Sequence, residues 1–316
     1  MHRSRSFPLF VLLFLLSYAA TRLQAQRASG EKQMVILDTD IGDDIDDAFA
    51  VALALNSSEL QILQINSDFG DTPLRSRLLK RFLTAVGRND ILIGTGVRTA
   101  APNIFSQRRY AERGETPAER DAIQSTLDLI RQNPGKITLI SIGPCSDIGA
   151  MIDKSPATFR QLKRVVMMGG SIYLGGGDLG YAKPHGPDPE WNILQDITGA
   201  RKLLSSGVPI YMIPLDATQL KFDEVKRELL FRHDSQLTDQ LLILYYQWGH
   251  QTPTLFDPMA VAFTIDPSLC PVTPLHLVIN DKGYTQPTAG PPNVQACLYS
   301  NPDAFFRFYM PRVLGQ

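Results

Sequence analysis

The chain has 316 residues, of which 44% are hydrophobic and 20% charged, and its formal net charge is −1. That balance excludes a disordered or fibrous chain and is enough for one large core. No lysine- or arginine-rich run is dense enough to form a phosphate-binding stripe, so no nucleic-acid partner is expected.

The N-terminus reads separately from the rest. His2-Arg3-Ser4-Arg5 is basic, Phe7 to Ala20 is apolar apart from Pro8, Ser17 and Tyr18, and Leu23-Gln24-Ala25 offers a small residue for cleavage before Gln26. This is the layout of a secretory signal peptide. The apolar run falls short of the roughly 20 residues a spanning helix needs, so no stable membrane anchor is expected. Residues 1–25 are therefore read as a signal peptide and 26–316 as the mature domain, secreted or periplasmic. Export permits disulfides, but Cys145, Cys270 and Cys297 are too few for a disulfide scaffold. A Cys270–Cys297 bridge is compatible with the sequence and is not required by it.

Met34 to Asp38 is a short apolar run ending in acid, and Asp47 to Leu55 an apolar helix. Leu60 to Ile65 reads as a strand, Leu74 to Val86 as an amphipathic helix and Ile91 to Ile93 as a further strand. The polar stretch from Thr95 to Glu115 reads as a loop. Thr116 to Asn133 has helical periodicity, with Pro117 suited to a first turn. Ile137 to Ile142, Arg164 to Met168 and Pro209 to Ile213 are buried-strand patterns. Short β-branched runs alternating with helices predict an α/β fold. It would be a single domain with a mainly parallel, Rossmann-like open sheet covered by helices on both faces. In such sheets ligands sit beyond the carboxyl ends of the strands. Here those ends read Asp38-Thr39-Asp40, Asn66-Ser67-Asp68, Ile142-Gly143-Pro144 and Met168-Gly169-Gly170.

The first of these ends opens an acidic loop. Asp38 to Asp47 holds six aspartates in ten residues. Carboxylates this close raise one another's pKa, and a hard cation with all-oxygen ligands relieves the repulsion, Ca²⁺ best. A solvated loop with a cap and first-turn acids explains Asp46 and Asp47 but not Asp40 at the end of a buried strand. An EF-hand starting at Asp38 fails, because Asp43 and Phe49 stand where glycine and glutamate are needed. An aspartyl-phosphate enzyme using Asp38 and Asp40 lacks the later lysine.

Val35 to Ala48 resembles the N-terminal signature of the inosine-uridine type nucleoside hydrolases. The likeness continues through Asp68-Phe69-Gly70-Asp71, where the commoner pattern ends Gly-Asn, and through Ile137 to Pro144 and Val165 to Gly170. It extends to Pro189 to Ile193 and to Phe256 to Ala260. The resemblance implies the nucleoside hydrolase fold and Ca²⁺-dependent cleavage of ribonucleosides into base and ribose. A secreted calcium- and ribose-binding protein without turnover is the alternative. The implied metal ligands are Asp40, Asp47, Asp257 and the main-chain carbonyl of Ile142. Implied substrate residues are Asp46 at the 2′-hydroxyl, Glu190 and Asn192 at the 5′- and 3′-hydroxyls, together with Asp71 and Asp257. Asp40 is the implied base toward water. The loop is two residues longer than the commoner pattern. Its register therefore favours Asp46-Asp47 by the following alanine, and Asp43-Asp44 by the preceding glycine. Phe256 replaces the histidine that protonates the leaving base in purine-active relatives. His250, near Tyr245, Tyr246 and Trp248, is the expected substitute acid, with His185 a further candidate. A homo-oligomer is expected.

Overall fold

The computed structural model describes residues 32–100, 105–177 and 185–316. The expected signal peptide, residues 1–25, lies outside them. The strands are β1 (Gln33–Thr39), β2 (Leu60–Ser67), β3 (Leu92–Thr95), β4 (Thr138–Ser141), β5 (Arg164–Met168), β6 (Ile210–Ile213), β7 (Val272–Leu275), β8 (Leu277–Ile279), β9 (Thr285–Pro287) and β10 (Val294–Cys297). Eight of them form one sheet in the order β3-β2-β1-β4-β5-β6-β10-β7. Every neighbouring pair is parallel except β10 with β7, which closes one edge antiparallel. β8 and β9 form a separate hairpin-like pair.

The central strands are buried on both faces, as their unbroken apolar runs require. In β1, Val35 and Leu37 join the core layer that contains the helices Asp46–Leu55, Thr72–Ala85, Pro258–Ile265 and Pro302–Val313. Ile36 points the other way, to the layer of Ala122–Gln132, Ser146–Lys154 and Ile197–Leu204. Each large apolar side chain buried in these layers contributes about 1.5–3 kcal/mol against the entropy of ordering. The Asp46–Leu55 helix is buried from Asp46 to Ala54. Its Ala/Leu/Val content has no polar face, which suits a helix packed on every side. Gln33–Gln316 is one compact unit. No helix among the described residues is long and apolar enough to cross a membrane.

Several elements differ from the sequence reading. The helix expected from Thr116 starts at Ala122, because the Asp121 side chain accepts the Gln124 N–H at 2.7 Å and caps it there. The expected Thr95–Glu115 loop contains a short helix, Arg108–Glu112. Buried Tyr110 anchors that helix, its hydroxyl donating to Gln240 Oε1 at 2.7 Å. Cys270 and Cys297 are joined in a disulfide with Cα atoms 5.6 Å apart, while Cys145 is free and buried.

Strand order reverses between β1 and β4. Loops leaving adjacent strands at such a switch point diverge and open a crevice. Thr39-Asp40 and Ser141-Ile142 leave the sheet at this point.

Candidate active site

A cavity of about 370 Å³ occupies the crevice, within the range typical of small-molecule sites. Asp40, Asp43, Asp44, Asp46, Asp47 and Asp257 all line it. On the opposite side it is lined by Ile142, Met168, Glu190, Trp191 and Asn192, with Phe256 and Leu215 completing the wall.

Three helix N-termini aim at this space. Asp46 and Asp47 open Asp46–Leu55, Asp257 precedes Pro258–Ile265, and Glu190 precedes Trp191–Gln195. Helix N-termini favour anions, which partly offsets the crowding of acids. Asp257 makes no side-chain cap bond, so its carboxylate is not spent on its own helix. Carboxylate oxygens of Asp46, Asp47 and Asp257 lie within 4.8 Å of one another, and all three residues are buried. Thr39 fixes this group from below: its hydroxyl donates to Asp47 Oδ1 and accepts the Ile41 N–H at 3.1 Å.

Burial, then mutual repulsion, pushes Asp46, Asp47 and Asp257 well above the ordinary carboxylate range. Burial pushes Asp40 up to about 7, with Arg75 opposing and Asp43 adding. A buried set of oxygen donors crowded enough to resist ionisation fits a hard divalent cation. The residues therefore fit the metal that the family resemblance implies.

Glu190 is the helix cap rather than Asn192. Its Oε1 accepts the Asn192 N–H at 2.9 Å, and its Oε2 accepts Gly170 N–H at 2.8 Å and Ile193 N–H at 3.2 Å. These bonds lock the carboxylate in place at the cavity wall. Asn192 donates Nδ2 to the Met168 carbonyl at 3.2 Å, so its amide is also held. Phe69 carries φ of 60°, rare for a residue with a side chain. Its ring meets Trp191 edge-on at 6.2 Å, and Trp191 remains 40% exposed at the cavity.

The structure also separates residues that the sequence grouped. Asp40 lines the cavity beside the Asp46-Asp47-Asp257 trio rather than within it. Asp43, also at the lining, is paired with Arg75, Nη2 to Oδ2 2.9 Å. Asp44 stays exposed at the cavity lining. Asp71 is not among the lining residues. The turn through Phe69 and Gly70 carries it to the N-cap position of Thr72–Ala85, 3.7 Å from Arg98. His250 also lies outside the lining, exposed past the end of Gln236–Trp248 with its ring 4.9 Å from Trp248. The glycine at position 249, with φ of 79°, ends that helix and swings the chain outward. His185 is exposed and bonded through its ring nitrogens to the carbonyls of Gly176 and Gly186. Arg75 belongs to no motif in the sequence, and Thr39, though inside the Val35 to Ala48 signature, has no implied role there. Behind Asp40, Asp38, Asp68 and Asp147 form a second buried acid group, in which Ser146 donates to Asp68 at 2.6 Å and the Val97 N–H to Asp147 at 2.7 Å.

Fold and site together define a doubly wound α/β enzyme of the carboxylate-rich hydrolase class. The chain belongs to the inosine-uridine preferring nucleoside hydrolase family, whose model matches residues 35–307, and it is an N-glycosyl hydrolase of nucleosides. It is 29% identical over 280 residues to the pyrimidine-specific ribonucleoside hydrolase RihA of Citrobacter koseri, covering 80% of this chain and 86% of that one. To RihA of an Enterobacter species it is 29% identical over 277 residues, covering 80% and 85%. Among solved structures it resembles a plant nucleoside hydrolase, PpNRh1, with TM-score 0.80 at 22% identity over 90% of this chain and 100% of that chain. The purine-preferring ribonucleoside hydrolase of Gardnerella vaginalis follows with TM-score 0.72 at 22% identity over 90% and 98%. These structural likenesses establish the shared fold.

Proposed function

We propose that the protein is an exported, calcium-dependent ribonucleoside hydrolase. The observation that carries this reading is the convergence of Asp46, Asp47 and Asp257 within 4.8 Å, beside Asp40, at the switch point of the sheet. Asp47, Asp257 and Asp40 would hold Ca²⁺ together with the Ile142 carbonyl. When bound, the ion supplies a fixed positive centre that orients the ribose diol and one water.

The protein's own groups account for the remaining chemistry. Breaking a ribosyl N-glycosidic bond builds positive charge on the sugar, as in other glycoside hydrolyses. The surrounding carboxylates are already fixed in place and favour that charge without reorganising. Asp40, buried at the cavity wall beside the trio, is the base that takes a proton from the attacking water. Asp46 accepts from the ribose 2′-hydroxyl, and Glu190 and Asn192 hold the far hydroxyls in a locked geometry. Trp191 and Phe256 form the apolar wall for the base. His250 lies outside the cavity lining, near enough to Asp44 for its charge to act on that carboxylate, and Asp44 itself lines the cavity.

Pyrimidine ribonucleosides are the first substrates to try, given the pyrimidine-specific relatives at 29% identity. Export rests on the signal-peptide pattern of residues 1–25 and is supported by the Cys270–Cys297 disulfide. The deciding experiment assays free ribose from uridine, cytidine and inosine, with added Ca²⁺ and after exhaustive chelation. Release that persists undiminished after chelation rejects the calcium reading. No release from any ribonucleoside rejects the substrate.

A further inference from the structure

Arg75 sits in the Thr72–Ala85 helix, yet it is only 1% exposed. Its guanidinium binds groups from two separate loops. Nε donates to the Phe69 carbonyl at 2.7 Å, and Nη1 donates to the carbonyls of Asp40 and Ile41, the latter at 2.9 Å. Nη2 meets the Asp43 carboxylate at 2.9 Å. The Phe105 ring lies 5.0 Å from Cζ. That same ring fills the space a side chain at Gly42 would need, at 1.9 Å from the ideal Cβ position, and Gly42 has φ of 131°. The arginine, the ring and the glycine are therefore fitted to one another.

A buried guanidinium pays a large desolvation penalty, and an apolar side chain fills the same volume more cheaply. Its use here has to be sought in what it orients. Three of its partners are backbone carbonyls, two of them in the acidic loop at Asp40 and Ile41. The third belongs to Phe69, whose left-handed backbone would relax without support and whose ring backs Trp191 at the cavity. Only a planar fork reaches these groups together, and the compact ammonium of lysine does not. Asp43, in the two-residue-longer loop, supplies the matching negative charge.

We infer that Arg75 is a positioning residue for hydrolysis: it pins the acidic loop so that Asp40 faces its water, and it holds the Phe69 turn behind Trp191. The inference rests on the role proposed above for Asp40, but its structural half is read without turnover. Misplacing a reacting group by about 1 Å costs on the order of 10²-fold in rate. In the purified protein, Arg75→Lys should lose about 10²-fold in kcat with KM within about threefold. Backbone amide exchange should accelerate over residues 40–46 and 69–71 and nowhere in the strands. Asp43→Asn, which keeps an acceptor for Nη2, should lose less than Arg75→Lys. Arg75→Met, with similar length and no charge, is the second variant, and circular dichroism confirms that each is folded. Wild-type exchange over residues 40–46 in both Arg75 variants overturns the inference, as does a kcat within twofold of wild type. If the parent protein turns over no ribonucleoside, the substrate reading fails and the exchange data still decide whether Arg75 pins the loop.

Discussion

The main-chain N–H of Asp257 donates to Oδ2 of Asp46 at 3.3 Å, joining residues 211 positions apart. The bond ties the N-terminus of Pro258–Ile265 to that of Asp46–Leu55, and these two helices pack side by side. It makes the carboxylate trio one unit, so removing a member should disturb the others. Asp47→Asn and Asp257→Asn are each expected to weaken Ca²⁺ binding and turnover together. Thr39→Val removes only the hydroxyl that orients Asp47. Orienting partners of metal ligands are typically worth 10–100-fold in affinity or activity, and a loss of that size is expected here. Calorimetric titration with Ca²⁺ beside a ribose-release assay checks both, and unaltered Ca²⁺ affinity in Asp47→Asn would refute the ligand assignment.

Acid crowding also fixes how stability responds to pH. Asp40, Asp46, Asp47 and Asp257 all have folded pKa values above the usual carboxylate value, chiefly through burial. Without metal, the folded state therefore binds more protons than the unfolded chain. Stability is then full below about pH 4 with respect to these groups and falls as pH rises above it, the Asp40 share being lost through about 7. Bound cation removes the repulsion, so the gap in Tm between Ca²⁺-loaded and chelated protein should widen as pH rises. A ligand at ~100 times its Kd adds about 2.7 kcal/mol. For a chain of this size that is roughly 4–5 °C. Thermal melts between about pH 5 and about pH 8 test this, and a gap that narrows with pH contradicts it.

The sheet was legible because each central strand is a short unbroken apolar run, and the loop was legible because six aspartates cannot crowd together without a reason. Glu190 and Asn192 were named through the family resemblance, and the structure brings them to the same cavity. What was not legible depends on the direction in which side chains point. Arg75 falls inside the amphipathic helix expected from Leu74 to Val86, and only the packed fold shows that it points inward. Thr39 reads as an ordinary strand residue until Asp47 arrives above it. Asp71 and His250 each lie next to a motif but follow a turn with positive φ, at Phe69-Gly70 and at Gly249, and neither lines the cavity.

A sugar site built around hydroxyl groups should discriminate strongly among sugars. Asp46 and Glu190 are held by backbone N–H groups, so neither can swing to compensate for a missing partner. Sites that hydrogen-bond a substrate hydroxyl reject the analogue lacking it by about 10⁴–10⁵-fold. Uridine is therefore expected to exceed 2′-deoxyuridine by several orders of magnitude in kcat/KM. Asp46→Ala should erase much of that difference by lowering the uridine value. Equal kcat/KM for the two nucleosides in the parent protein would overturn the proposed grip on the ribose.

The departing base poses the last question. Phe256 lines the cavity at the position where the family resemblance implies a proton-donating histidine, and it cannot donate. His250 is outside the lining and Asp44 is in it, the two close enough that a charge on His250 would lower the Asp44 pKa against the upward push of burial. A general acid contributes about 10²–10⁴-fold, and its loss is felt in proportion to how poorly the base leaves. His250→Ala and Asp44→Asn should be compared on inosine and on a riboside with an activated leaving group. If His250 delivers the proton, both variants lose inosine hydrolysis by at least about tenfold and keep most activity on the activated riboside. If Asp44 donates directly, Asp44→Asn alone shows that split. Equal losses on the two substrates remove both residues from the role, and leaving-group quality then sets the rate, with pyrimidine and purine ribosides ranked by the basicity of the departing nitrogen.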